Sequence, residues 1–364
     1  MFNRLKGLIA VSALLLTVIP TYAEVVPEVS FSGGYTDNLF NDSSSIDDGY
    51  TAVSPNLKIY PSATTEIALS GSYTSYFDNS DLSSIYGTAA ITFIPSLKES
   101  KLNVLLSADI AGRSYGELYE PYSYWGADVN ALFNYRLVSG IIIRGGASAG
   151  TTKFPNSILG ASEGIGCFGG LNFTPVGSNS VNLEAGLSLQ RYVTGLDSVE
   201  TGGPRHPSYI VEGEKSSFHV AYFEARYSRP FGIRTGVNAL ITSRWIVEEP
   251  DSTLDGFSVD YLSPWSSLWG GQSFGANIKN FPGGDFIIES GFTLFFKEYS
   301  QDYESQKRDD DRVSVYFQVQ RPFSTGSGML IKPMLQLHWV NNSSSVSRYD
   351  YSYYDVQFGI SLRF

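Results

Sequence analysis

The chain has one cysteine, Cys167, and three histidines in 364 residues. A single thiol excludes an intrachain disulfide framework and a cysteine-based zinc site, and there is no CxxCH for covalent haem attachment. No metal and no cofactor is expected. Charge is also scarce: 17% of residues are charged, against about 25% in soluble domains. Positive charge is the scarcer sign, with 25 Lys and Arg against 36 Asp and Glu, which argues against nucleic acid as a partner. After residue 23 no apolar run approaches the roughly 20 residues of a membrane-spanning helix. What the chain has instead is aromatic side chains. Its 24 tyrosines and 23 phenylalanines together outnumber the acidic residues, so it can bury enough surface to escape disorder.

The first residues read as a secretory leader. Arg4 and Lys6 precede an apolar stretch from Leu8 to Ile19, then Pro20 and Thr21-Tyr22-Ala23, which is the order of a cleavable signal peptide ending at Ala23. The stretch is short for a retained anchor. Residues 1–23 are therefore expected to be a signal peptide and 24–364 the folded unit. The net charge of −11 becomes two units more negative once Arg4 and Lys6 are gone.

The rest alternates with a period of two. Val181, Leu183, Ala185, Leu187 and Leu189 form one apolar row; Trp125, Val129, Phe133 and Tyr135 form another, set against Asp128, Asn130, Asn134 and Arg136. In a strand such sets face opposite sides. Sixteen segments show the pattern, at 27–36, 50–60, 65–77, 84–94, 101–112, 124–136, 140–152, 162–173, 181–193, 217–228, 232–245, 265–279, 285–298, 312–321, 329–340 and 350–364. Seven connectors are short and rich in Pro, Gly and Ser, and eight, at 37–49, 78–83, 113–123, 153–161, 194–216, 246–264, 299–311 and 341–349, are longer and more acidic. Strands of this length cross a bilayer when tilted. Only a closed barrel lets strands sit in lipid with every backbone group paired, so the first strand should meet the last. The expected fold is all-β, a closed antiparallel up-and-down transmembrane barrel of about 16 strands, with 14 to 18 within reach of the pattern. A soluble sandwich also alternates, but it has no need of uniformly long strands or of one short-turn side. Trp125, Trp245, Trp265, Trp269 and Trp339 fall near the long-loop ends, and Phe93, Tyr135, Phe173, Phe281 and Phe364 near the short-turn ends, as interfacial aromatic belts do.

The leader, the sixteen-segment meander and the ending Tyr354-x-Val356-x-Phe358-x-Ile360-x-Leu362-x-Phe364 make the chain resemble the bacterial outer-membrane β-barrels, porins among them. The resemblance covers residues 27–364. It implies a cell outer membrane location, outer-membrane lipids and lipopolysaccharide as surroundings, and a barrel-assembly machinery that reads the terminal aromatic signal during insertion. It leaves a homo-oligomer open. Porins fold a long third loop into the channel, whereas here the third loop is short and the fifth and sixth are the longest.

Alternation places Asp109, Asp128, Arg136, Arg144, Glu224, Arg226, Arg234, Arg244 and Glu289 on the wet inner face as candidate pore-lining residues. They could set ion selectivity, or they could pair across the wall and stiffen it, Glu224 with Arg226 or Arg234 with Glu289. The acidic loops carry Asp37, Asp42, Asp47 and Asp48, then Glu248, Glu249, Asp251, Asp255 and Asp260, then Asp302, Glu304, Asp309, Asp310 and Asp311 beside Lys307 and Arg308. They read as solvated surface, as divalent-cation sites bridging to lipopolysaccharide, or as a field that gathers cations. His206, His219 and His338 stand in no catalytic pattern, and no enzymatic activity or catalytic residue is expected. The expected function is a passive, mildly cation-preferring channel for small hydrophilic solutes or ions. The alternatives are a sheath or export barrel occupied by a protein or polysaccharide, and a structural or adhesive surface barrel.

Overall fold

The structure, a computed structural model, describes residues 23–95, 101–155, 161–175, 179–193, 215–248, 269–303, 306–326 and 328–364. The leader up to residue 22, the fifth loop with His206, and most of the sixth with Trp265 lie outside the described residues.

Sixteen crossing strands follow one another: β1 (Glu24–Thr36), β2 (Asp48–Ser62), β3 (Thr65–Tyr76), β4 (Ser84–Phe93), β5 (Leu102–Tyr115), β6 (Tyr124–Val138), β7 (Ile141–Lys153), β8 (Ala161–Phe173), β9 (Ser180–Val193), β10 (Lys215–Phe231), β11 (Thr235–Glu248), β12 (Trp269–Gly283), β13 (Phe286–Tyr303) and β14 (Gln306–Gln320), then β16 (Leu330–Ser344) and β17 (Tyr351–Arg363). The two-residue β15 (Phe323–Ser324) sits in the last short turn and adds no crossing. Every crossing strand pairs antiparallel with its neighbours in the chain, and β1 pairs with β17 from Glu28↔Arg363 to Thr36↔Asp355. The sheet is therefore a closed barrel without edges, the solution that spares strands unpaired backbone groups.

The short-turn end is built by local turn chemistry. Gly284 and Asp285 both take positive φ (61° and 63°) between the paired Gly283 and Phe286, the geometry of a two-residue type I′ hairpin. Gly140 has φ 83°, and a Cβ there would meet the Thr174 carbonyl oxygen.

One parity of side chains is apolar and points out of the barrel. Val129 (54% exposed), Ile165 (59%), Leu187 (57%) and Phe358 (64%) lie on this outer face, far more exposed than core residues of a soluble protein. Among the described residues, nine of the ten buried apolar side chains, Ile59 excepted, gather at the long-loop end, among them Leu39, Leu82, Phe154, Phe218, Val346 and Tyr349. The packed core thus sits in the mouth of the barrel and the wall itself has none.

The seventh loop differs from expectation. The acidic run reads as a loop at 299–311, yet β13 and β14 continue as a hairpin to the pairs Asp302↔Lys307 and Tyr303↔Gln306. Hydration suits this extension: Lys307, Asp309 and Asp311 are exposed on one face while Arg308 and Asp310 are buried on the other. Asp48 departs from a solvated surface too, because it is 1% exposed. Its carboxylate accepts the backbone N–H groups of Phe77, Asp78 and Asn79 and the Asn79 amide at 2.9–3.1 Å, which pins the second loop to β2.

Candidate functional site

The inner face follows from register. Asp109 lies directly opposite Asp128 across β5 and β6. From Asp128 the row continues through Gly150 and Gly164 to Gln190. This part of the lumen has a floor of Gly150, Gly164 and Gly166 edged by Ser148, Ser162 and Ser188, and it encloses a niche of about 360 Å³. Among the described residues the two aspartates have no basic partner within salt-bridge distance. Mutual repulsion of two adjacent carboxylates favours a cation nearby.

Elsewhere five pairs of luminal charges meet. Lys58 meets Glu66 at 3.0 Å, Arg226 meets Glu224 at 3.2 Å, Lys332 meets Glu28 at 3.7 Å, Lys279 meets Glu289 at 3.8 Å and Arg144 meets Glu184 at 3.9 Å. These pairs lie mostly toward the short-turn end, and each is part-exposed, so each contributes little to stability. Within each pair the two charges offset one another. The Glu289 partner is Lys279 and not Arg234. Arg234 stands in the turn before β11 and donates to the Pro282 carbonyl of the next turn at 3.3 Å. Arg136 faces inward near the foot of β6. Arg244 lies inward near the top of β11, its guanidinium 5.0 Å from the Trp269 ring.

Three tyrosines that the charge pattern does not single out also line the lumen. Tyr222 faces Gly186 and Tyr316 faces Gly291 across their strand pairs. A Cβ on either glycine would fall within 2.5–2.7 Å of the ring, so the rings lie flat over bare backbone. Their hydroxyls donate to Glu184 at 3.0 Å and Glu289 at 2.8 Å. In each case the sequence signature is Glu-x-Gly on one strand opposite Tyr on the next. Tyr50 lies over Gly34 and donates to Asp355 at 3.3 Å. Laid flat, these rings take little width from the lumen. Closer to the loops Arg113 sits 5.2 Å from the Tyr86 ring and 5.9 Å from that of Tyr115, an arrangement in which π faces hold the cation.

Loops interlock along one side of the mouth. Ser43 N–H donates to the Arg348 carbonyl at 2.9 Å and Gly116 N–H to that of Asp81 at 3.1 Å. The Phe40 ring stacks on Tyr119 at 6.2 Å. These contacts link the eighth loop to the first, the first to the third, and the third to the second. Burial raises the pKa of the Tyr119 and Tyr122 hydroxyls, so both stay neutral at physiological pH. Of the other two histidines, His219 lies on the outer face and His338 on the inner, with Nε2 2.7 Å from the Ser314 hydroxyl. Among the described residues no group of His, Cys, Asp and Glu has the geometry to hold a metal ion.

No family model matches the chain, and no curated protein matches it in sequence. Among solved structures it is similar to OccK1 (OpdK) of Pseudomonas aeruginosa at 9% identity, over 94% of this chain and 98% of that one, with a TM-score of 0.49. It is similar to OccAB1 of Acinetobacter baumannii at 10% identity, over 95% and 98%, with a TM-score of 0.49. A bacterial polysaccharide outer membrane secretin matches at 11% identity, over 93% and 98%, with a TM-score of 0.46.

Proposed function

We propose that the chain is an integral outer-membrane β-barrel acting as a porin-like passive channel for small hydrophilic solutes or ions. The observation that carries this is the sorting of side chains by a closed sheet: apolar rows outward, and charges of both signs, hydroxyls and bare glycine inward. A sixteen-stranded barrel is wide enough to hold an aqueous passage. In this reading residues 1–23 are the export leader, the short turns face the periplasm, the long loops face out, and the alternating apolar residues that end in Phe364 are the insertion signal.

Asp109 and Asp128 give the passage its mild cation preference, since they are adjacent acids beside the glycine-lined stretch of wall. The test is conductance in planar bilayers under a salt gradient. The folded barrel should conduct with a reversal potential favouring the cation, and Asp109→Asn with Asp128→Asn should bring the permeability ratio toward unity. A folded barrel that stays silent in every variant would remove the channel reading.

A further inference from the structure

The eighth loop, 345–350, is fastened to the inner side of the mouth by a buried cation. Arg308 is 2% exposed and Asp310 3%. Arg308 faces inward, its Nε 3.0 and 3.1 Å from the two Asp310 carboxylate oxygens. One face of the guanidinium lies 3.5 Å from the Tyr349 ring centroid, and the group lies 4.2 Å from the Tyr299 ring. Tyr299 belongs to β13 and Tyr349 to the loop, so Arg308 ties the loop to the wall.

Further bonds follow the same line. Asn342, 2% exposed, donates its amide to the Tyr349 carbonyl at 2.6 Å. The Ser345 hydroxyl receives the Asp309 N–H and donates to the Lys307 carbonyl, both at 2.8 Å. The Ser345 N–H donates to the Asp309 carbonyl at 2.9 Å, and Arg348 joins the first loop through Ser43. The continuation of the β13–β14 hairpin above the wall thus serves as the post to which the loop is moored.

We propose that this clamp holds the eighth loop as the closed position of a gate at the long-loop mouth, and that Arg308 sets how often the passage opens. The proposal rests on the channel reading. A buried ion pair of this kind is costly to break from one side, because the remaining charge is left uncompensated in a dry site. Both partners belong to β14, so the pair stays with the wall and fixes the guanidinium as a seat, and what the loop gives up on opening is the stacking of Tyr349 on that seat. Loss of the guanidinium frees Tyr349 and, through Ser43, loosens the first loop.

The experiment compares the full chain in planar bilayers with Arg308→Met, Tyr349→Ala and a variant whose residues 345–349 are replaced by Asn-Gly. Heat-dependent gel mobility identifies the folded barrels. Opening should become at least about tenfold more frequent in all three variants, with Tyr349→Ala standing in if Arg308→Met does not fold. If the shortened loop opens the passage while the folded Arg308 and Tyr349 variants behave as the native chain, the clamp is overturned and the channel stands. If the native chain conducts and the shortened loop changes nothing, the gate is overturned. Silence of every folded barrel removes the channel reading, and the gate with it.

Discussion

Two glycines determine where two luminal rings can lie. Gly186 and Gly291 leave bare backbone opposite Tyr222 and Tyr316, and Glu184 and Glu289, two residues earlier on the same face, receive the hydroxyls. Gly186→Val fills the space the ring occupies, so Tyr222 must swing into the lumen and give up its bond to Glu184. The expected cost is about 1–3 kcal/mol, as for overpacking in a filled site, read as a lower urea midpoint of the folded barrel, together with a smaller unitary conductance. Tyr222→Phe keeps the ring in place and loses one hydrogen bond, about 1 kcal/mol, with the conductance unchanged. The two outcomes separate the role of the glycine from that of the hydroxyl.

At the scale of the strand, the physics lies in which side of the wall a residue faces. Leu187 and Ser188 are neighbours in β9, the first outward and the second beside the luminal niche. Leu187→Arg places a charge against acyl chains and should destabilise the barrel by about 2–4 kcal/mol near the bilayer midplane. Ser188→Arg points into water and should cost far less, while lowering the conductance. Equilibrium unfolding from lipid vesicles checks both. This two-residue period is why all sixteen crossings and both kinds of connector can be read from the residues alone. Val181, Leu183, Ala185, Leu187 and Leu189 carry the period without interruption.

The reading weakens above the membrane, where both faces are wet. There Lys307 to Asp311 alternate in burial but not in polarity, because inward Arg308 and Asp310 are charged like their outward neighbours. A charged strand and a charged loop look alike by composition, and only pairing to β13 distinguishes them. The tyrosine seats were legible in principle as Glu-x-Gly. Their partner strand is set by register, however, which a single strand does not carry. Arg234 shows the opposite case: alternation extended backward from β11 assigns it to the wall, but the strand begins one residue after it and Arg234 belongs to the turn.

For the whole molecule, the mouth and the wall obey different rules. The wall has lipid on one side and water on the other and needs no dry interior. The mouth has a packed core, and stability that depends on close packing is concentrated there. Denaturant should therefore act in two stages on the folded barrel, with the mouth's amides exchanging with solvent deuterium well before those of β7 to β9. Hydrogen exchange followed by mass spectrometry reads this directly, and a single uniform exchange rate would contradict it.

The pairing of β1 with β17 also puts the completion of the cylinder at the end of synthesis. Until Tyr351–Arg363 arrives, strands β1 and β16 each present a ladder of unanswered amides and carbonyls, the kind of template on which chains recruit one another. Whatever delivers this polypeptide to its membrane must shelter those two margins for the entire interval between the first hairpin and the last, and a chain cut short before Tyr351 is expected to precipitate instead of inserting.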